Sequence, residues 1–293
     1  MSAAASIAHQ LGARRQGDNW RCDCPVGCGY ALSFCDAADG ELLAYCFGGC
    51  GFDDIIVALA EHGLLDGADD DEVVCYGASA FSKSRTAREE QRSEAARRIY
   101  DCLAPATGTI VETYLRSRRI ILEVPSILRF AACPHRSRSS FPAMVAPVVD
   151  VDGNQTGIHA TYLRSDGSGK ADFADREFQR ECRGVIRGGA IRLAEHDPDR
   201  ALVVAEGVET ALSAMQLFEL PGWSAVSAGG LKALKLPPSV RNIIIVADND
   251  ASGTGQRSAV AAGQRWKAEG RAVRAVVPLI TGDFNDVLNR GRG

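Results

Sequence analysis

Apolar, strand-like runs alternate with helical runs from about residue 201 to the end of the chain. The strand-like runs read ALVVAEG, WSAVSAGG, NIIIVADND and RAVRAVVPL, and helical runs such as VETALSAMQLF separate them. This alternation predicts a mainly parallel sheet with helices on both faces. Because functional side chains in such sheets collect where the strands end, we expect the site at the carboxyl ends of these strands.

Acidic residues stand at three of the predicted strand ends. They are Glu206, Asp248, Asp250, Asp283 and Asp286. Carboxylates that lie close together raise one another's pKa, and a divalent cation relieves the repulsion. The pattern therefore predicts a site for Mg²⁺ or Mn²⁺, with a pair of ions suited to phosphoryl transfer. The alternative for Asp283 or Asp286 is an ordinary helix cap.

Two closely spaced pairs of cysteines lie near the start of the chain, in CDCPVGC and CFGGC. Pairs separated by about twenty residues are typical of zinc ribbons, in which tight turns let two thiolates converge on one ion. We predict a zinc site formed by Cys24, Cys28, Cys46 and Cys50, with Cys22 as the alternative to Cys24. A closed set of four ligands indicates a structural role for the ion.

The remaining patterns divide the chain into parts. Residues 1–65 are Cys-rich, 66–84 have the composition of a linker, 85–199 mix helices and strands, and 200–293 hold the alternating pattern. In the third part, GTIVETYLRSRRI predicts a helix, and a turn at DGN joins two strands into a hairpin. The chain is therefore expected to be a multidomain α/β protein.

Composition limits the classes of function. The 293 residues are 46% hydrophobic and 24% charged, with a net charge of −4 and no apolar run near the ~20 residues that cross a bilayer. With no signal peptide visible, we expect a cytoplasmic protein without a membrane partner. Residues 83–138 nevertheless carry twelve Lys or Arg against six Asp or Glu, which indicates either a phosphate-attracting surface or a solvated helix.

The acidic motifs resemble those of the TOPRIM domain, which primases, topoisomerases and some nucleases share. AEGVETALSA resembles its glutamate motif, and DND followed by Gly253 resembles its DxD motif. From about residue 20 to 290 the order of motifs resembles short DnaG-type primases of phages and mobile elements. The resemblance implies an N-terminal zinc ribbon, a mixed α+β middle domain and a C-terminal Rossmann-like parallel sheet.

Two features depart from the family pattern. Arg119 stands in YLRSRRI where the primase motif usually has glycine, and we expect no helicase-binding domain after Gly293. If the resemblance holds, a replicative helicase would have to act in trans.

The resemblance implies synthesis of short RNA primers from NTPs on single-stranded DNA. Asp248, Asp250 and one of the two later aspartates would hold metal, while Glu206 would position a metal or handle a proton. Candidates for nucleotide or template contact are Arg116, Arg118, Arg164 and Lys232. For each of these a solvated surface charge is an equal alternative.

The zinc module would bind the template. Trp20, Tyr30 and Phe47 are candidates for stacking on bases, although core packing is favoured for Phe47. For His159, in the strand GIHATYL, a structural hydrogen bond is favoured over catalysis.

Two other functions remain possible on sequence grounds. A TOPRIM nuclease would use the same carboxylates with water as the nucleophile, but the zinc module and YLRSRRI favour a primase. A non-catalytic DNA-binding accessory protein of a mobile element is disfavoured by the intact acidic set. A topoisomerase would need a nucleophilic tyrosine in a separate domain, and every tyrosine precedes residue 200.

Overall fold

The computed structural model describes residues 2–37, 42–47, 50, 52–64, 78–135, 139–173, 179–249 and 253–290. The chain forms two compact units, residues 1–78 and 79–293. Most of the predicted linker, 66–84, lies outside the described residues. None of the helices in the described segments combines the length and the apolar character needed to cross a bilayer.

The first unit is a small antiparallel sheet with two helices. Its elements are α1 (Ala3–Gln10), β1 (Arg14–Gln16), β2 (Asn19–Asp23), β3 (Ala31–Asp36), β4 (Leu42–Cys46) and α2 (Phe52–Glu61). The strands lie in the order β1-β2-β3-β4, each antiparallel to the next. Alternate residues of β3, Leu32 and Phe34, face a core that also contains Ile7, Ile55 and Leu59, as expected for a strand buried on one face.

The second unit begins with a long helix and an antiparallel sheet. Its first elements are α3 (Ala78–Asp101), β5 (Ala104–Pro105), α4 (Ile110–Ser117), β6 (Arg129–Pro134), β7 (Ser140–Val149), β8 (Gln155–Tyr162) and β9 (Arg180–Gly184). The strands are ordered β5-β6-β7-β8-β9. The predicted hairpin is confirmed, because β7 and β8 pair antiparallel across the DGN turn.

The alternating pattern folds as predicted into a mainly parallel sheet. Its elements are β10 (Ile191–Arg192), β11 (Leu202–Ala205), α5 (Val208–Phe218), β12 (Gly222–Ser224), α6 (Ala228–Ala233), β13 (Asn242–Val246), α7 (Thr254–Ala268), β14 (Ala272–Val276) and α8 (Phe284–Arg290). The strand order is β10-β12-β11-β13-β14, and only β10 runs antiparallel to its neighbour. The predicted α/β class is therefore confirmed.

Both faces of the parallel sheet are buried. On one face, Val203 and Ala205 of β11 share a core with α4, α5, α8 and the even-numbered residues of β7. On the other face, Leu202 and Val204 pack with α6 and α7 around the fully buried Trp266. The first core contains residues of both sheets, so it joins the antiparallel and the parallel sheet of the second unit.

The strand predicted over WSAVSAGG is shorter than expected, and a helix replaces its second half. Val226 has a positive φ of 72°, which ends the extended conformation. Ser227 then caps α6, accepting a hydrogen bond from the Gly230 amide at 3.0 Å.

Arg119 has a left-handed backbone, with φ of 58°. Glycine reaches this conformation without the steric cost that a Cβ imposes. The position at which this chain departs from the primase motif is therefore a turn where glycine is the unstrained residue.

Candidate functional site

The four predicted cysteines come together in the first unit. Cys24 and Cys28 flank the turn after β2, where Gly27 has φ of 77°, and Cys46 ends β4, four residues before Cys50. All four sulfur atoms lie within 4.8 Å of one another. The Cys24–Cys50 and Cys28–Cys46 Sγ separations are 3.9 and 3.4 Å.

These distances fit a tetrahedral metal site. Zn–S bonds of ~2.3 Å place the sulfurs about 3.8 Å apart around one zinc ion. Burial raises the pKa of Cys24 to about 11 and also raises the pKa of Cys50, so neutral thiols are favoured until a cation compensates the thiolates. Cys22, the alternative ligand, lies on β2 and is not part of the group. The donor set therefore suits zinc.

Aromatic side chains near the cysteines differ from the expectation in one respect. Phe47, for which core packing was favoured, is 50% exposed, and Tyr45 beside it is 65% exposed. Their rings meet edge to face at 5.1 Å, and the Arg21 guanidinium lies 4.4 Å from the Phe47 ring centroid. Tyr30 is also exposed, whereas Trp20 packs partly against the core. Tyr45 and Arg21 were not singled out from the sequence.

The parallel sheet places two predicted acids at neighbouring strand ends. Ala205 of β11 is paired with Val246 of β13. Glu206 directly follows the first of these residues, and Asp248 comes two residues after the second. Asp250 lies outside the described residues. Glu206 and Asp248 therefore stand on the same edge of the sheet.

The loop that carries Asp283 and Asp286 is joined to this edge by Asn249. The Asn249 amide donates to the Gly282 carbonyl at 2.8 Å, and the Gly282 amide returns a bond of 3.0 Å. The Asn249 side chain donates to the carbonyls of Pro278 and Ile280 at 3.0 and 3.2 Å. Asn249 was given no role from the sequence; in the structure it ties the loop that carries Asp248 to the segment before α8.

Asp283 and Asp286 form a reciprocal cap at the start of α8. The Asp286 amide donates to Asp283 Oδ1 at 2.9 Å, and the Asp283 amide donates to Asp286 Oδ2 at 3.0 Å. Gly282, with φ of 128°, leaves the space that the Asp286 carboxylate occupies. The cap predicted as an alternative is thus present for both residues.

Asp283 is partly buried beside this cap. Burial, together with the charge of Asp286, raises the pKa of Asp283 despite the opposing effects of amide hydrogen bonds and Arg118. A nearby cation would stabilise its charged form. Among the described residues, however, only the four cysteines have three or more ligand atoms within metal-binding distance, so a metal role for Asp283 or Asp286 stays a prediction.

Comparison with protein-family models gives two matches in the second unit. Residues 90–193 match a model described as "Domain of unknown function (DUF7146)", and residues 201–293 match "Toprim domain". Residues 201–293 form a Toprim domain. This match confirms the predicted resemblance to the TOPRIM domain, and the four-cysteine group agrees with the predicted zinc ribbon.

Several solved structures are also similar to the chain, at low sequence identity. The Aquifex aeolicus primase, comprising zinc-binding and RNA polymerase domains, is 14% identical over 99% of this chain and 80% of its own, with a TM-score of 0.48. The primase fragment of the bacteriophage T7 primase-helicase is 18% identical over 64% and 69%, with a TM-score of 0.42. No curated protein matches.

The four basic residues that were predicted to contact nucleotide or template have different surroundings in the structure. Arg116 donates to the carbonyls of Ile120 and Leu122 at 2.7 and 2.8 Å and pairs with Glu112 at 2.9 Å. Its guanidinium therefore stabilises the end of α4, and its role in nucleotide contact stays a prediction. Arg118 is half-buried, and its charge opposes the rise in the pKa of Asp283, which places it near the acidic edge.

Arg164 and Lys232 lie on the surface. Arg164 pairs with Asp172, to which its Nε donates at 2.8 Å, and Lys232 is exposed in the last turn of α6. Both remain predicted contacts for phosphates.

His159 is buried in β8, and its environment differs from the prediction. Burial, with the charge of Arg180, lowers the pKa of His159 to about 4, so the ring is neutral near pH 7. Its Nδ1 atom has no hydrogen-bond partner among the described residues. The predicted structural hydrogen bond is therefore not made at that nitrogen.

A buried ionic network that joins a residue of the Toprim domain to the preceding region was missed from the sequence. Glu209, in the first turn of α5, accepts a hydrogen bond from Tyr114 Oη at 2.7 Å and an ion pair from Lys170 Nζ at 2.9 Å. Glu209 lies in VETALSA, where an acid in a first helical turn is ordinarily a solvated residue favoured by the helix dipole. The sequence contained one indication that Glu209 is buried, because it lies among apolar residues three positions after Glu206.

Proposed function

We propose that this protein is a primase, which joins ribonucleotides on a single-stranded DNA template. The observation that carries the proposal is the Toprim edge, where Glu206 and Asp248 follow neighbouring parallel strands and the Asn249–Gly282 pair holds the Asp283 loop beside them. The four-cysteine group in the same chain supports a primase over other Toprim enzymes.

The acidic edge suits nucleotidyl transfer. Oxygen donors at a sheet edge are the ligands that Mg²⁺ or Mn²⁺ prefers, and such ions stabilise the attacking and leaving oxygens at a phosphate. We assign the metal ligands as Asp248, Asp250 and one of Asp283 and Asp286. The Glu206 carboxylate would accept the proton of the attacking 3′-hydroxyl or orient a ligand.

Template binding is assigned to the first unit. The exposed rings of Tyr45 and Phe47, with Arg21 over the latter, offer stacking and cation–π contacts that tolerate any base. The partners of the reaction would be single-stranded DNA, NTPs and a replicative helicase acting in trans.

The test is primer synthesis by the full-length protein. Single-stranded DNA, labelled NTPs and Mg²⁺ or Mn²⁺ are incubated with the wild type and with Asp248→Asn, and products are resolved by length. Asp248→Asn keeps the size of the side chain and removes the charge that would bind metal. We expect short RNA products from the wild type and their loss in the variant.

The same assay separates the other functions. Degradation of the template without RNA products would identify a Toprim nuclease, and DNA binding with neither activity would identify an accessory protein. Products that persist in Asp248→Asn would show that the acidic edge is not the site of synthesis.

A further inference from the structure

The Glu209 network places basic side chains close to one buried carboxylate. Lys170 and Arg180 both act on the Glu209 carboxylate, and His159 beside them is neutral near pH 7. Burial by itself raises the pKa of Glu209, but the two cations and the hydrogen bonds from Lys170 and Tyr114 outweigh it, so its pKa lies below the ordinary value. The Lys170 ammonium contacts the buried carboxylate directly, and Arg180, whose charge also lowers the pKa of Glu209, is exposed, so the network presents basic groups suited to an anionic ligand.

The network lies next to the Toprim edge. Glu209 is three residues after Glu206, at the start of the helix that leaves β11. Its side chain is 5% exposed, whereas that of Lys170 is 19% exposed. An ammonium group carries three N–H donors, and the ion pair with Glu209 fixes its position while the Lys170 side chain as a whole stays partly exposed.

We propose that Glu209 is a positioning residue, which holds the Lys170 ammonium at the Glu206 end of the sheet to meet the phosphates of the incoming nucleotide. The inference rests on the proposed function and deepens it. Tyr114 is the second support, because its hydroxyl donates to the same Oε1 atom that Lys170 contacts. Residues of the two family-model regions, 90–193 and 201–293, thus meet at one oxygen.

The chain contains a matched control for this network. Tyr162 Oη donates to Glu181 Oε2 at 2.6 Å, so it is also a tyrosine–glutamate pair in the second unit. Tyr162 belongs to the core on the α3 side of the antiparallel sheet. Since neighbouring residues of a strand point to opposite faces, this pair lies across the sheet from Thr161 and the Toprim domain.

The experiment measures KM for ATP in primer synthesis and Kd for Mg·ATP by equilibrium dialysis in the same full-length proteins. The variants are Glu209→Gln, Lys170→Met, their combination, and Glu181→Gln as the control. We expect Glu209→Gln to raise both constants about tenfold, the usual scale for losing a hydrogen bond to a charged group. Glu181→Gln should leave both constants unchanged.

The double variant separates positioning from a general effect on folding. If Glu209 acts through Lys170, Glu209→Gln has no further effect on either constant once Lys170 is methionine. The double variant also removes both charges, so it avoids the buried unpaired charge that could unfold a single variant. A tenfold effect that persists in the Lys170→Met background, or that matches the loss of folded protein in thermal unfolding, would overturn the inference.

Failure of the proposed function gives a different result. A wild type that binds Mg·ATP but makes no RNA refutes the primase assignment, and the Kd series then decides the role of Glu209. A wild type that binds no nucleotide refutes both.

Discussion

Replacing Asn249 with alanine removes the side chain that ties the strand-end loop after β13 to the segment after β14. The two shorter side-chain bonds that are lost run to the carbonyls of Pro278 at 3.0 Å and Ile280 at 3.2 Å, and a longer bond from Gln256 Nε2 to Asn249 Oδ1 at 3.4 Å is lost with them. Because Pro278 is buried, water cannot readily replace the donor at its carbonyl. The backbone bonds between Asn249 and Gly282 remain available.

The magnitude follows from these two bonds. At about 1 kcal/mol for each, the loss is about 2 kcal/mol in the free energy of unfolding. For a unit of this size, 1 kcal/mol shifts Tm by about 2–4 °C, so Tm should fall by about 4–8 °C. Differential scanning calorimetry of the full-length protein measures this shift.

Asn154→Ala provides the control. Asn154 is an exposed asparagine whose side chain bonds Asp150 at 3.3 Å, and its loss should shift Tm by no more than about 1 °C. Primer synthesis by Asn249→Ala should fall further than its folded fraction, because the Asp283 loop then keeps only the backbone bonds between residue 249 and Gly282. Equal Tm values for the two variants would refute the assigned role of Asn249.

Four other results are expected. Metal analysis should find about one zinc per chain, and Cys46→Ser should lose it and unfold the first unit; a metal-free, folded wild type would contradict this. Asp283→Asn keeps the capping oxygen. Because the pKa of Asp283 is raised in the folded state, its protonated carboxyl stabilises the wild type at low pH, and this contribution is lost as the pH rises through that pKa. The variant should therefore increase Tm at pH 7.5 without divalent ions, with a smaller gain toward pH 4 in the same calorimetric series. Phe47→Ala should weaken binding of single-stranded DNA about tenfold in fluorescence anisotropy, whereas an unchanged Kd would remove this ring from the template surface. Arg119→Gly should leave Tm unchanged or raise it by about 1–3 °C, and a clear decrease would show that the guanidinium contributes more than the backbone costs.

Local sequence patterns predict most of the fold. The parallel sheet follows from apolar runs that alternate with helical ones, and the zinc group follows from cysteine pairs whose spacing admits few other uses. The order of the acidic motifs along the chain placed Glu206 and Asp248 at one edge without knowledge of any distance.

What could not be predicted depends on pairs far apart in sequence. In the sequence, Lys170 and Glu209 are each typical of a surface charge, and only tertiary packing brings them together in a largely buried pair. Asn249 lies between two aspartates, which are stronger metal ligands than an amide. Its hydrogen-bond partners lie one helix and one strand later in the chain. Phe47 comes directly after β4, where the sequence does not indicate which face the ring takes.

Strand β10 links parts of the chain that the family models separate. Ile191 and Arg192 fall within the 90–193 match, yet they pair with Ser224 and Trp223 in the sheet of the Toprim domain. A fragment beginning at residue 201 would leave β12 with an uncovered edge, prone to aggregation. The two matched regions are therefore not independent modules. A recombinant protein that exchanges either region would have to keep this two-residue strand together with the Toprim sheet.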